Sequence, residues 1–283
     1  MSAPSTDPMV ADRTLGAHQR SVLVHGIEAV HAARWGIADE VAVEITLDGA
    51  PWTVCMATPA DLEELAVGLA LTDGRIAAAA DVVSVEVTAL LGDYRVALRL
   101  ANGSAANAGA RTASPTGACG LCGLESLAAL HARVVHRHVP PAGERAVDLI
   151  AVRRAFDVLP QAQPLNAATR SVHAAAWCAP DGALQLVRED VGRHNALDKL
   201  VGALARAGRL AEDGFVVMTS RCSYELVAKC AHTGARLLAT WSAPTTLALH
   251  WAATVGLPLC SMMRTPDGVA LVTFPEESAH AVG

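Results

Sequence analysis

From about residue 145 onward the sequence alternates short apolar runs with amphipathic stretches, and this alternation restricts the fold more than any other feature. An apparent helix over 146–157 precedes strand-like "VHAAAWC" and "ALQLV", then helix "GRHNALDKLVGALARA" and strand "GFVVMTS". Helix "SYELVAKCAHTG", strand "RLLAT", helix "PTTLALHWAATVG" and strands "LPLCSMM" and "GVALVTF" complete the series. Short strands that are apolar throughout need cover on both faces. The pattern therefore predicts a mainly parallel sheet between helices, a three-layer α/β domain. Ligands in such sheets bind beyond the carboxyl ends of the strands. Here those ends carry "VREDVGRHN", "MTSRCSYE", "ATWSAPTT" and "SMMRTPDG", all polar or turn-forming.

The first third has a different texture. "VAVEITLDGAPWTVCMAT" (41–58) alternates on both sides of Asp48-Gly49, which predicts a hairpin. "TPADLEELAVGLALTDG" predicts a helix with Thr58 as N-cap, Pro59 at N1, Asp61 in the first turn and Gly74 as its stop. "VVSVEVTALLGDYRVALRL" (82–100) reads as a second hairpin turning at Gly92-Asp93. The expected organisation is a disordered polar lead-in over 1–20, a small α+β module over 21–115 and the α/β domain over 116–283. In between, "ANGSAANAGARTASPTGACG" (101–120) breaks all periodicity, and small residues dominate it. It reads as a mobile loop over 101–118.

Bulk properties exclude several function classes. The net charge of −6 without a Lys/Arg-rich stripe does not support a nucleic-acid partner. No run of about 18 uninterrupted apolar residues predicts a membrane span. The N-terminal stretch lacks an apolar core of the signal-peptide kind, so the expected compartment is the cytoplasm. Seven cysteines, an odd number, argue against a disulfide framework.

Two of those cysteines, Cys119 and Cys122, form a CxxC within "TGACGLCGLESL" at the end of the loop, where an amphipathic helix is expected to begin. A structural zinc site needs two further ligands at defined spacing, and no second CxxC is present. A zinc deaminase couples CxxC to His-x-Glu, but His173-Ala174-Ala175 has alanine where that carboxylate would stand. Neither metal reading is favoured, so no bound metal is expected. Sulfur chemistry remains. Unpaired N–H groups and the positive dipole end of a helix favour a thiolate or persulfide, and the flanking glycines leave the approach open. The residues alone reach a thiol-reactive loop. "EDVGRHNALDK" (189–199) also leaves two readings open. It can be a solvated, salt-bridged helix start. Alternatively, Arg193, His194 and Asn195 can line an anion pocket at a strand-to-helix junction.

Five segments, "GACGLCG", "HAAAW", "REDVGRHNALDKLVG", "SRCSYELVAKCA" and "APTTLAL", occur in the order found in the formate dehydrogenase accessory sulfurtransferase family (FdhD). Over about residues 40–275 the chain resembles that family, and the run from Glu189 to Lys199 is its most specific part. The resemblance implies a cytoplasmic homodimer whose larger domain is similar to the cytidine deaminase fold. It implies a sulfurtransferase that carries a persulfide on Cys119; by thiol chemistry alone, Cys122 can resolve that sulfur as a disulfide or share its load. Sulfur would come from a cysteine desulfurase and pass to the molybdenum bis(molybdopterin guanine dinucleotide) cofactor destined for the catalytic subunit of formate dehydrogenase. A non-catalytic cofactor chaperone is the alternative. The family's cofactor segment maps onto Met262, Met263, Arg264, Thr265, Pro266 and Asp267. Arg193, His194, Asn195, Ser220 and Arg221 would line the same cleft, with Arg193, Arg221 and Arg264 serving as cationic partners of a diphosphate.

Overall fold

The computed structural model describes residues 16–27, 29–101 and 147–274. Cys119, Cys122 and the expected loop over 101–118, apart from Ala101, lie outside the described residues. The strands β3 (Val41–Leu47), β4 (Ala50–Ala57), β5 (Val82–Leu90) and β6 (Asp93–Leu100) form a sheet in the order β4-β3-β6-β5. The first hairpin turns at Asp48-Gly49, both with positive φ, as an Asp-Gly pair at a two-residue turn requires. The second turns at Leu91-Gly92, one residue earlier than expected.

Between these hairpins runs α1 (Leu62–Thr72). Its N-cap is Asp61, in the left-handed region, and not Thr58. Thr58 is instead fully buried and bonded to residues far along the chain. Gly74, at φ +72°, follows the helix end as the sequence predicts. The hairpin of β1 (Ala17–His25) and β2 (Val30–Ala38) was not foreseen, and residues 17–20 open its first strand instead of extending a lead-in.

The second sheet contains β7 (His173–Cys178), β8 (Leu184–Asp190), β9 (Phe215–Met218), β10 (Leu238–Trp241), β11 (Leu259–Thr265) and β12 (Gly268–Thr273). Their order is β12-β11-β10-β9-β7-β8. It is mixed and not mainly parallel: β9, β10 and β11 run parallel, while β7 opposes both neighbours and β12 opposes β11. The reason is visible in the sequence. No helix separates β7 from β8 or β11 from β12, and strands without a crossover pair antiparallel.

One face of this sheet packs on α4 (Arg193–Arg206), α5 (Tyr224–Cys230) and α6 (Thr246–Val255). The other face packs on α2 (Leu149–Val158), whose Val152, Ala155 and Phe156 meet Ala176, Phe215 and Met262. The short helix α3 (Pro164–Thr169) lies against β2. A single apolar core joins the first sheet to the second through α1 and α4. These two helices cross at glycines. A Cβ built on Gly202 would stand 1.9 Å from the Glu64 carbonyl oxygen, and one on Gly68 would stand 1.8 Å from that of Asp198. Gly202→Ala should therefore force the helices apart and cost about 3 kcal/mol, the upper range for overpacking. A urea midpoint equal to the wild type would show that the two backbones do not meet.

Candidate functional site

The carboxyl ends of β8, β9, β10 and β11 lie along one edge of the second sheet, and the antiparallel β7 begins at that edge with His173. The turn from β8 into α4 is built on two buried charges. The Asp190 and Lys199 side chains are both fully buried, with Lys199 Nζ 2.6 Å from Asp190 Oδ2. The ammonium also donates to the carbonyls of Thr58 (3.1 Å) and Glu189 (3.3 Å), so its three protons have three acceptors. Asp190 accepts in addition from Thr58 N–H at 3.0 Å, Gly192 N–H at 2.8 Å and Asn195 Nδ2 at 3.0 Å. Val191 N–H donates to Thr58 Oγ1 at 3.2 Å. Glu189 accepts from the Leu165 and Asn166 amides at 2.9 and 2.8 Å and so caps α3, although burial raises its carboxyl above the ordinary range.

Arg193 and His194 open α4. His194 is buried, with Nε2 2.9 Å from Glu225 Oε2 and 3.5 Å from Ser223 Oγ, so the ends of β8 and β9 meet through it. Arg193 Nε is enclosed and has no hydrogen-bond partner among the described residues. His173 stands close by. Burial first, then the charges of Arg193 and His194, push its imidazole below the ordinary value, against an opposing pull from Asp190. A second buried network backs the site. Asp198 is held by Lys229 at 2.7 Å and Thr72 at 2.7 Å, and burial pushes its carboxyl up. It ties α1, α4 and α5 together.

The other residues expected at the site fall into separate groups. Ser220 is buried and Arg221 exposed at the end of β9. Met262, 2% exposed, belongs to the core under α2, whereas Met263 and Thr265 are half-buried and Arg264, Pro266 and Asp267 exposed. β8 and β11 are four inter-strand steps apart, about 19 Å at the usual spacing. Arg193 and Arg264 thus mark two ends of one edge and do not form a single grip. Sequence reasoning missed Thr58 as a participant, while Glu225 closes the strand-end segment "MTSRCSYE" that it did single out. For Lys199 a signal existed, since it stands among Leu197, Leu200 and Val201 on an otherwise apolar helical stretch.

The described cysteines share one property. Cys55, Cys178, Cys222, Cys230 and Cys260 are free thiols, and burial pushes each up to about 12. All five remain protonated near neutral pH and are poor nucleophiles. Among the described residues, no group of three or more His, Cys, Asp or Glu side chains is placed to hold a metal ion, and no helix is long and apolar enough to cross a membrane.

Comparison with known proteins converges on one family. Among curated relatives, the sulfur carrier protein FdhD of Chromobacterium violaceum is 46% identical over 230 residues, 81% of this chain and 85% of that protein. The FdhD of Xanthomonas campestris pv. campestris is 43% identical over 237 residues, 82% of each chain. That of Cupriavidus necator is 41% identical over 246 residues, 86% of this chain and 84% of the other. A crystal structure described as that of a formate dehydrogenase accessory protein from Desulfotalea psychrophila superposes with a TM-score of 0.68. It shares 22% identity, covers 92% of this chain and 98% of its own, and so carries the fold alone. The model of the FdhD/NarQ family matches residues 38–276, which takes in both sheets and the whole strand-end site, and the chain belongs to that family.

Proposed function

We propose that the protein is a sulfur carrier that accepts a persulfide on Cys119 from a cysteine desulfurase. It delivers the sulfur to molybdenum bis(molybdopterin guanine dinucleotide), the cofactor that formate dehydrogenase requires. One observation carries most of the weight: Cys178, Cys222, Cys230 and Cys260 are buried and Cys55 half-buried, and all five thiols are pushed up to about 12, which leaves sulfur chemistry to Cys119 and Cys122. The printed names of the relatives support the same role. The strand order β8-β7-β9-β10-β11, with β7 alone reversed, supports the expected likeness to the cytidine deaminase fold. Such a carrier works in the cytoplasm, as a homodimer.

The guanine dinucleotide is cargo in this reading, and the strand-end edge is where it would bind. Arg193 at the start of α4 and Arg264 near the end of β11 are suited to its phosphates, as charge-assisted contacts at a helix N-terminus and on an exposed strand end. Calorimetry with GDP tests this. The cofactor carries two guanine nucleotides, so Arg193→Ala and Arg264→Ala should each weaken GDP binding about tenfold at its own end of the edge. Absence of GDP binding, by the wild type and by the persulfide-loaded protein alike, would remove the cofactor pocket. GDP binding without persulfide loading would instead favour a cofactor chaperone.

A further inference from the structure

Asn195 was expected to touch the ligand, yet its geometry assigns it elsewhere. The amide nitrogen donates both protons within the protein, to Met56 O at 2.7 Å and to Asp190 Oδ1 at 3.0 Å. It thereby joins the end of β4 to the turn that leads into α4. Gly192 permits this arrangement by close approach: a Cβ there would stand 3.0 Å from Asn195 Nδ2 and 3.4 Å from Asp190 Oδ1. Arg193 lies between these two anchored residues, with its Nε enclosed and without a partner among the described residues.

We infer that Asn195 is a positioning residue, which fixes the first turn of α4 so that Arg193 stays aimed at the ligand of this site. The inference rests on the guanine-nucleotide reading for the identity of the ligand, and on the bonding of the turn for everything else. Asn195 reaches β4 through Met56 and the buried pair through Asp190, so its loss frees the turn on two sides. The Arg193 side chain then samples other directions.

A double-mutant cycle separates positioning from contact. With GDP as probe, Asn195→Ala should weaken binding about tenfold, and Arg193→Ala/Asn195→Ala should bind no more weakly than Arg193→Ala alone. Losses that add would make Asn195 a direct contact and overturn the inference, as would an unaltered affinity in Asn195→Ala. A second readout needs no ligand. The charged and titratable groups acting on His173 are Arg193, His194 and Asp190. When Arg193 swings away, the His173 ring, assigned in NMR by its loss in His173→Gln, should titrate at a higher pH. In the Arg193→Ala background Asn195→Ala should leave that midpoint where it was. An unmoved midpoint in Asn195→Ala would refute positioning whether or not GDP binds. Failure of the wild type to bind GDP, with a midpoint that moves, would remove the nucleotide reading alone. Asn195→Ser, which keeps one donor, should give the same signs at smaller size if the alanine variant folds poorly.

Discussion

Incubated with a cysteine desulfurase and cysteine, Cys119→Ala should take up at least about tenfold less sulfur than the wild type. Intact-protein mass spectrometry reads this directly as the fraction of chains that carry an added sulfur atom. The expectation combines two independent lines. Cys119 leads a CxxC with a glycine after each cysteine at the expected start of a helix, where N–H groups and the helix dipole stabilise a sulfur anion. The other line is subtraction. Each of the five described cysteines would have to be deprotonated against a burial that holds it near 12, so none can replace Cys119 at neutral pH. Cys122→Ala should still load, because persulfide formation needs a single nucleophile, and should deliver sulfur less well. Full loading of Cys119→Ala would transfer the role to Cys122 or abolish it, and loading of the double variant would show that burial does not silence the other thiols.

What could be read in advance follows a physical division. Local backbone demands were legible: Asp48-Gly49 at a two-residue turn, Gly74 behind α1, and the apolar runs of β9, β10 and β11. The β1–β2 hairpin was not, because Leu23 and Val30 are exposed and little burial imposes a period on those strands. Thr58 shows the same division at the site. Its sequence context, ahead of Pro59 and an acidic turn, is that of an N-cap, yet its backbone serves Asp190 and Lys199, 132 and 141 positions away. Tertiary bonding of this kind leaves no local trace. The segment from Glu189 to Lys199 stood between two readings, a solvated helix start and a ligand pocket, and the geometry adds a third component. Asp190, Lys199 and Asn195 build the turn, while Arg193 Nε has no hydrogen-bond partner among the described residues.

Lys199→Met should destabilise the fold by about 3–5 kcal/mol, which chemical denaturation monitored by far-UV circular dichroism would measure. The side chain it replaces has no exposure, and neither has that of Asp190. Methionine fills much of the same volume, so the loss reports charge and not a cavity. With the ammonium gone, Asp190 keeps Thr58 N–H, Gly192 N–H and Asn195 Nδ2 as donors, but these are neutral and cannot balance a buried carboxylate. The carbonyls of Thr58 and Glu189 lose a donor as well. Asp190→Asn/Lys199→Met removes the unpaired charge and should recover about 1–3 kcal/mol relative to the single variant, the coupling expected of residues in direct contact. Stability alone returns in the double variant. The ion pair holds both β4 and the first turn of α4, so GDP affinity should stay low there even as the denaturation midpoint rises. If the double variant were no more stable than Lys199→Met, the cost would lie in the lost carbonyl bonds, and the pair would not be the anchor of the turn.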